Sequence, residues 1–207
     1  MLRKKLKAVF LISRISNFFI FIFLGLLFNC SIAKDISKEF TIYSPDYTKK
    51  LVYACEKPPF KIELPKNWYL LIKKEDKPGY LRAIFCKYKP GEEVTKGFLQ
   101  TPFIDISFLP NPKESSAMEF AKNITSKLKE KGIKIITSPT IIKVSDKKGS
   151  YFAAPHPNLH MIIENYTFVS GKTFINLRAF FGEDEYKENK EIIRKAVNSI
   201  RFSYTGE

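Results

Sequence analysis

The chain has few of the residues that most often carry chemistry. It holds two histidines, three cysteines and one tryptophan among 207 residues. His156 and His160 stand four apart, a spacing that aligns side chains on a helix, but Pro155 and Pro157 break any helix there. A metal site would need ligands folded in from elsewhere, such as Glu164 or Asp105. Loop or strand-edge histidines are the simpler reading. The thiols are widely spaced, which excludes a CxxC redox motif and a clustered metal site. Neither Ser150 nor Ser170 sits in a nucleophile elbow. Asp105 and Glu164 would form a carboxylate pair only through a tertiary contact. Gly149 and Gly171 belong to no phosphate-gripping sequence and read as turn residues. The run Glu183-Asp184-Glu185 lacks the alternating oxygen ligands of a calcium loop and suits the positive end of a helix. No metal, no cofactor and no catalytic residue is expected.

Acidic residues are also in deficit, 21 against 35 Lys plus Arg. Part of the excess lies in a leader. Arg3, Lys4, Lys5 and Lys7 precede an uncharged run from Ile15 to Phe28, and Ser31 and Ala33 occupy the −3 and −1 positions for cleavage before Lys34. This is the pattern of a secretory signal over residues 1–33. Two rivals compete with cleavage. Extending the apolar stretch back to Ala8 approaches the roughly 20 residues that span a membrane, with Arg14 inside it. Alternatively Leu27-Phe28-Asn29-Cys30 resembles a lipoprotein box, departing from it at Asn29, and would make Cys30 a lipidation site. Each branch places the rest of the chain in the periplasm or extracytoplasmic envelope, free or membrane-attached.

Export bears on the other two cysteines. Cys55 and Cys86 are a candidate disulfide in an oxidising compartment. Closing that loop would contribute roughly 3–4 kcal/mol. The competing reading makes both small buried hydrophobes. Without residues 1–33 the chain keeps 30 basic and 21 acidic residues, a formal +9, which favours anionic partners. Lys73, Lys74, Lys147 and Lys148 are the candidate contacts. Nucleic acid is not an expected partner, because the lysines are scattered and the aromatics fall at core-like positions rather than in a base-stacking motif.

Residues 34–57 read as an N-terminal arm with a first short element, and 58–204 as the domain. Phe60, Ile62 and Leu64 alternate with Lys61 and Glu63, the period of a half-wet strand. Trp68 follows and anchors a corner. Tyr80–Tyr88 is a further strand, with turns around Pro90-Gly91 and Gly97. Ile104, Ile106 and Phe108 face one way and Asp105 and Ser107 the other, until Pro110 stops the strand. Ser116 and Glu119 form a capping box for a helix whose apolar residues are Ala117, Phe120, Ala121, Ile124 and Leu128. Gly132 stops it. Short strands are expected over 133–137 and 140–144, a turn at 146–149, and a strand from Ser150. Met161–Val169 and Thr173–Phe181 form a hairpin across Ser170-Gly171. A final helical stripe runs through Tyr186, Asn189, Ile193, Ala196, Val197 and Ile200. Strands, helix, strands and helix in this order predict an α+β layered domain.

The segment Phe60-Lys61-Ile62-Glu63-Leu64-Pro65-Lys66-Asn67-Trp68 resembles the Mog1/PsbP-like superfamily. So do the helix after Pro110, the Tyr166–Lys172 hairpin and the closing helix into Ser199-Ile200-Arg201-Phe202. The resemblance covers roughly residues 58–204. It implies an α/β/α layered domain with a central, mainly antiparallel sheet. It also implies an accessory or binding module; together with the leader and the basic charge, the expectation is a noncatalytic protein of the bacterial envelope, recognising a protein or an anionic envelope component. The alternatives are a small envelope enzyme with a site near His156 and a membrane-anchored scaffold.

Overall fold

Strand pairing organises the molecule, and every ladder among the described residues is antiparallel. The computed structural model describes residues 39–46, 48–74, 81–90 and 101–202. The leader with Cys30, Tyr80, the Gly91 and Gly97 turn positions and the end of the chain after Phe202 lie outside the described residues. Among the described residues the elements run β1 (Phe40–Tyr43), β2 (Val52–Glu56), β3 (Pro59–Glu63), β4 (Tyr69–Lys73), β5 (Leu81–Cys86), β6 (Phe103–Pro110), α1 (Ala117–Glu130), β7 (Thr137–Val144), β8 (Lys147–Pro155), β9 (Met161–Ser170), β10 (Thr173–Gly182) and α2 (Tyr186–Asn198). Eight strands form one sheet in the order β1-β4-β5-β6-β10-β9-β8-β7, and β2 with β3 forms a separate hairpin. The architecture is α+β, with a large antiparallel sheet at its centre.

Period-two alternation sends each strand's side chains to opposite faces. One face carries Ile104, Ile106, Phe108, Ile175, Leu177, Ala179, Phe181, Tyr166 and Phe168. These pack with Phe60 and Ile62 of β3 and with Ile193, Ala196 and Val197 of α2. The other face carries α1: Phe120 lies 4.5 Å from Phe174, and the Ser150 hydroxyl donates to the Ala117 carbonyl at 2.8 Å. That face also holds a smaller cluster of Phe40, Leu71, Ile84 and Cys86.

The ends of α1 follow from its sequence. Ser116 Oγ accepts from the Glu119 amide at 3.2 Å, and the Glu119 carboxylate accepts from the Ser116 amide at 2.7 Å. At the other end Gly132, at φ 77, lets its own amide reach the Lys129 carbonyl and the Ile133 amide reach Leu128. Only a residue without a Cβ takes that left-handed turn at no cost. Leu128 and Ala121 are buried as expected, whereas Phe120 and Ile124 are half-covered.

Four expectations change. The arm forms strands: β1 joins the large sheet, where Phe40 pairs with Lys73 and its ring is buried, and β2 pairs with β3 in the separate hairpin. The short strand expected over 133–137 does not form, since residues 133–136 lie in no strand; β7 instead runs from Thr137 through Ser138-Pro139 to Val144, with an irregularity between Thr137 and Thr140 that absorbs the proline. The turn before β8 falls earlier, at Ser145 with φ 56, so Lys147 and Gly149 already lie in the strand. Gly149 is therefore a close-approach glycine. A Cβ there would meet the Phe168 ring and the Thr167 carbonyl oxygen at 2.6 Å.

Candidate functional site

The α1 face of the sheet should be wet by its sequence pattern, yet it is buried. Two cross-strand rows run over its centre. The register aligns Asp105 with Arg178 and Arg178 with Asn165, and the next row is Ser107, Asn176, Thr167 and Ser150. All seven polar side chains are buried. Burial of such groups is tolerated where most of them find hydrogen-bond partners. Arg178 grips Asp105 with two nitrogens, Nε to Oδ1 at 3.0 Å and Nη2 to Oδ2. Thr167 Oγ1 donates to Asn176 Oδ1 at 2.9 Å. Burial pushes the Asp105 carboxyl up, and the Arg178 charge pulls against that shift. The guanidinium also lies 5.4 Å from the Phe180 ring, which stacks on Phe103 at 4.4 Å.

The α2 face contains the second buried acid. Glu164 is fully enclosed, and its carboxylate collects three phenols. Tyr151 and Tyr186 donate to Oε1, each at 2.8 Å, and Tyr166 donates to Oε2 at 2.6 Å. Burial, and then the Glu164 charge, raise the pKa of Tyr151 and Tyr166. Tyr186 is raised by burial and by its bond to Glu164. Each phenol therefore stays a donor. Because Tyr151 is on β8, Tyr166 on β9 and Tyr186 at the start of α2, the acid pins the helix to the sheet.

Asp105 and Glu164 thus face opposite sides of the sheet and do not form a carboxylate pair. His156 follows β8 and is buried; its Nδ1 accepts from the Asn158 amide at 3.1 Å. Burial, with the Arg178 charge, lowers its pKa, which favours the neutral ring. Among the described residues, its Nε2 and the Asn165 Oδ1 have no hydrogen-bond partner. His160 is exposed. The two histidines are not brought together on a helix. Among the described residues no group of three or more His, Cys, Asp or Glu is placed to hold a metal ion.

The cysteine pairing is corrected. Cys55 and Cys86 are free thiols. Cys86 is buried in the small cluster on the α1 face, while Cys55 packs against the large core beneath the other face and donates to the Lys57 carbonyl at 3.4 Å. Burial pushes the Cys86 thiol up to about 12, so it behaves as an inert hydrophobe.

The four candidate lysines do not form one patch. Lys73 and Lys74 lie at β4, next to the β1 edge, and Lys147 and Lys148 on β8, next to the β7 edge at the far side of the sheet. Lys73 lies 4.0 Å from Glu39 and 5.8 Å from the Phe40 ring. Lys147 lies 5.0 Å from the Phe202 ring. Lys148 is exposed beside Lys143, its cross-strand neighbour.

The sequence pattern alone does not disclose the belt or the tyrosine cluster, although a signal exists. Asp105/Ser107, Asn165/Thr167 and Asn176/Arg178 are polar residues two apart in three adjacent strands, one row of them containing an acid and a base. The tyrosines give less, since Tyr151 and Tyr186 meet Glu164 only through tertiary packing.

No family model and no curated protein sequence matches the chain. Solved structures do match its shape. The solution structure of cyanobacterial PsbP (CyanoP) from Synechocystis sp. PCC 6803 is similar with a TM-score of 0.50 at 11% identity, over 74% of this chain and 92% of that one. A point mutant of the protein Mog1 is similar with a TM-score of 0.47 at 11% identity, over 76% and 97% of the two chains. The Saccharomyces cerevisiae Ran-binding protein Mog1p gives 0.44 at 12% identity, over 74% and 95%. At such identity the likeness concerns fold alone: the fold of this chain is similar to that of the cyanobacterial PsbP structure.

Proposed function

We propose that the domain is a noncatalytic binding or accessory module of the extracytoplasmic envelope, which works by surface recognition of a protein or an anionic envelope component. The observation that carries this reading is the condition of the buried acids. Asp105 is held by Arg178 and Glu164 by three phenols, so neither is poised as a general acid or base, which would need access to a reacting group. Chemistry then falls to the surface, where the cationic excess lies. The leader supplies the compartment, and processing or Cys30 modification would decide between a free and a tethered module.

Fractionation of native cells, with the mass of the mature N terminus and in-cell cross-linking, tests the proposal. Processing before Lys34 or at Cys30, with cross-links to an envelope component, is the expected result. An intact chain dissolved in the cytosol would overturn the placement. Turnover that is lost on substituting His156 while the fold persists would overturn the noncatalytic reading.

A further inference from the structure

The two edges of the large sheet differ in what they offer. Among the described residues, strand β7 is the last strand on one side, paired only to β8. No other described strand takes up its outer backbone groups, and such an edge is a template for a further strand. Pro139 has no amide hydrogen and the ladder is irregular between Thr137 and Thr140, so the regular run is Thr140–Val144. Within it, Ile141 is 65% exposed, and Ile136 just before the strand is 49% exposed. Ile141 and Lys143 point to the α1 face, and Lys148 lies directly opposite Lys143. Both lysines are exposed.

Resting on the binding-module reading, we infer that β7 is a docking edge for an extended acidic segment, which adds as a ninth strand to the large sheet. The main-chain ladder supplies attachment, and side chains alternating on one face supply selection. An apolar residue of the incoming strand covers Ile141, and an acid two positions away lies beside Lys143, with Lys148 one strand further in on the same face. Charge decides between this occupant and a second copy. Two β7 edges paired antiparallel over Thr140–Val144 would set Lys143 opposite Ile141 and gather Lys143 and Lys148 of both copies on one face, which like-charge repulsion disfavours. An acidic strand turns that penalty into attraction.

The test uses the full chain in mild neutral detergent and a short synthetic peptide alternating Glu and Val. Three comparisons are made: a Lys/Val peptide, the Glu/Val peptide N-methylated along one edge, and the K143E/K148E variant. Binding of the Glu/Val peptide at about 0.1 M salt, with amide shifts confined to β7 and β8, is expected. K143E/K148E should weaken it roughly tenfold and admit the Lys/Val peptide instead, with an unchanged melting midpoint. N-methylation should abolish binding. Equal affinity for the N-methylated peptide or for K143E/K148E overturns the docking edge, as does a dimer that forms through β7. Cross-links to an envelope partner that map away from β7 overturn this inference while leaving the broader binding reading intact.

Discussion

Among the described residues each face of the sheet buries one acid, and the two are held differently. Under α1, Asp105 meets a full opposite charge in Arg178. Under α2, Glu164 is held directly by three phenolic donors, and the Arg194 cation acts on it from beyond Tyr151. The first solution takes two ions out of water, a desolvation cost that their attraction only partly offsets. The second spreads one charge over three hydrogen bonds and uses them to join β8, β9 and α2. The difference teaches that a polar interior can serve register on one side of a sheet and layer attachment on the other.

Removing the opposite charge should have the largest effect. Arg178→Met leaves Asp105 buried and alone, and should cost about 3–5 kcal/mol in urea denaturation. A loss near zero would mean that water reaches the acid. On the other face Tyr166→Phe deletes one donor of three, and should cost about 1.5–3 kcal/mol, the range for a hydrogen bond to a charged group. A cost equal to that of Arg178→Met would break the contrast between one concentrated and one distributed clamp. Gly149→Ala lies close to the Tyr166 clamp and tests packing instead: the new methyl meets a backbone oxygen, with an expected cost of about 1–3 kcal/mol.

Titration sharpens the same comparison. Tyr151, Tyr166 and Tyr186 have raised pKa values in the folded chain. Their contribution to stability is present below the unfolded phenol value of about 10 and is lost as pH climbs past it. His156 is depressed, so its contribution is present above about 6.5 and is lost as pH falls. The denaturation midpoint should therefore fall on both sides of that window. The phenolate absorbance of the cluster should appear with unfolding rather than before it. The smallest effect is chemical: alkylation of the native chain should modify half-exposed Cys55 and spare Cys86 until denaturant is added.

The sequence is most legible where a local rule acts alone. Ser116, Glu119 and Gly132 mark the ends of α1 because caps are set within a few residues. Gly171, at φ 55, marks the β9–β10 turn for the same reason. It is least legible where burial depends on what lies across the sheet. Asp105 and Ser107 have the alternation of a wet face, and only the Arg178 and Asn176 partners beside them make their burial tolerable. Gly149 has a turn residue's identity, but Phe168 on the next strand sets its role. Cys55 and Cys86 are plausible partners by compartment, and only the separation of the two clusters keeps them apart. The apolar and cationic character of β7 is equally hidden, since edge position is a property of strand order.

One comparison bears most directly on the claim that the buried ions serve the fold. The unfolding free energies of Arg178→Met, Asp105→Leu and the double variant should be measured together. If the pair is an internal clamp, the double variant is clearly more stable than Arg178→Met alone, because no charge remains to be stranded. A double variant as unstable as the two single losses combined would contradict the account, and would mean that each ion has a separate task.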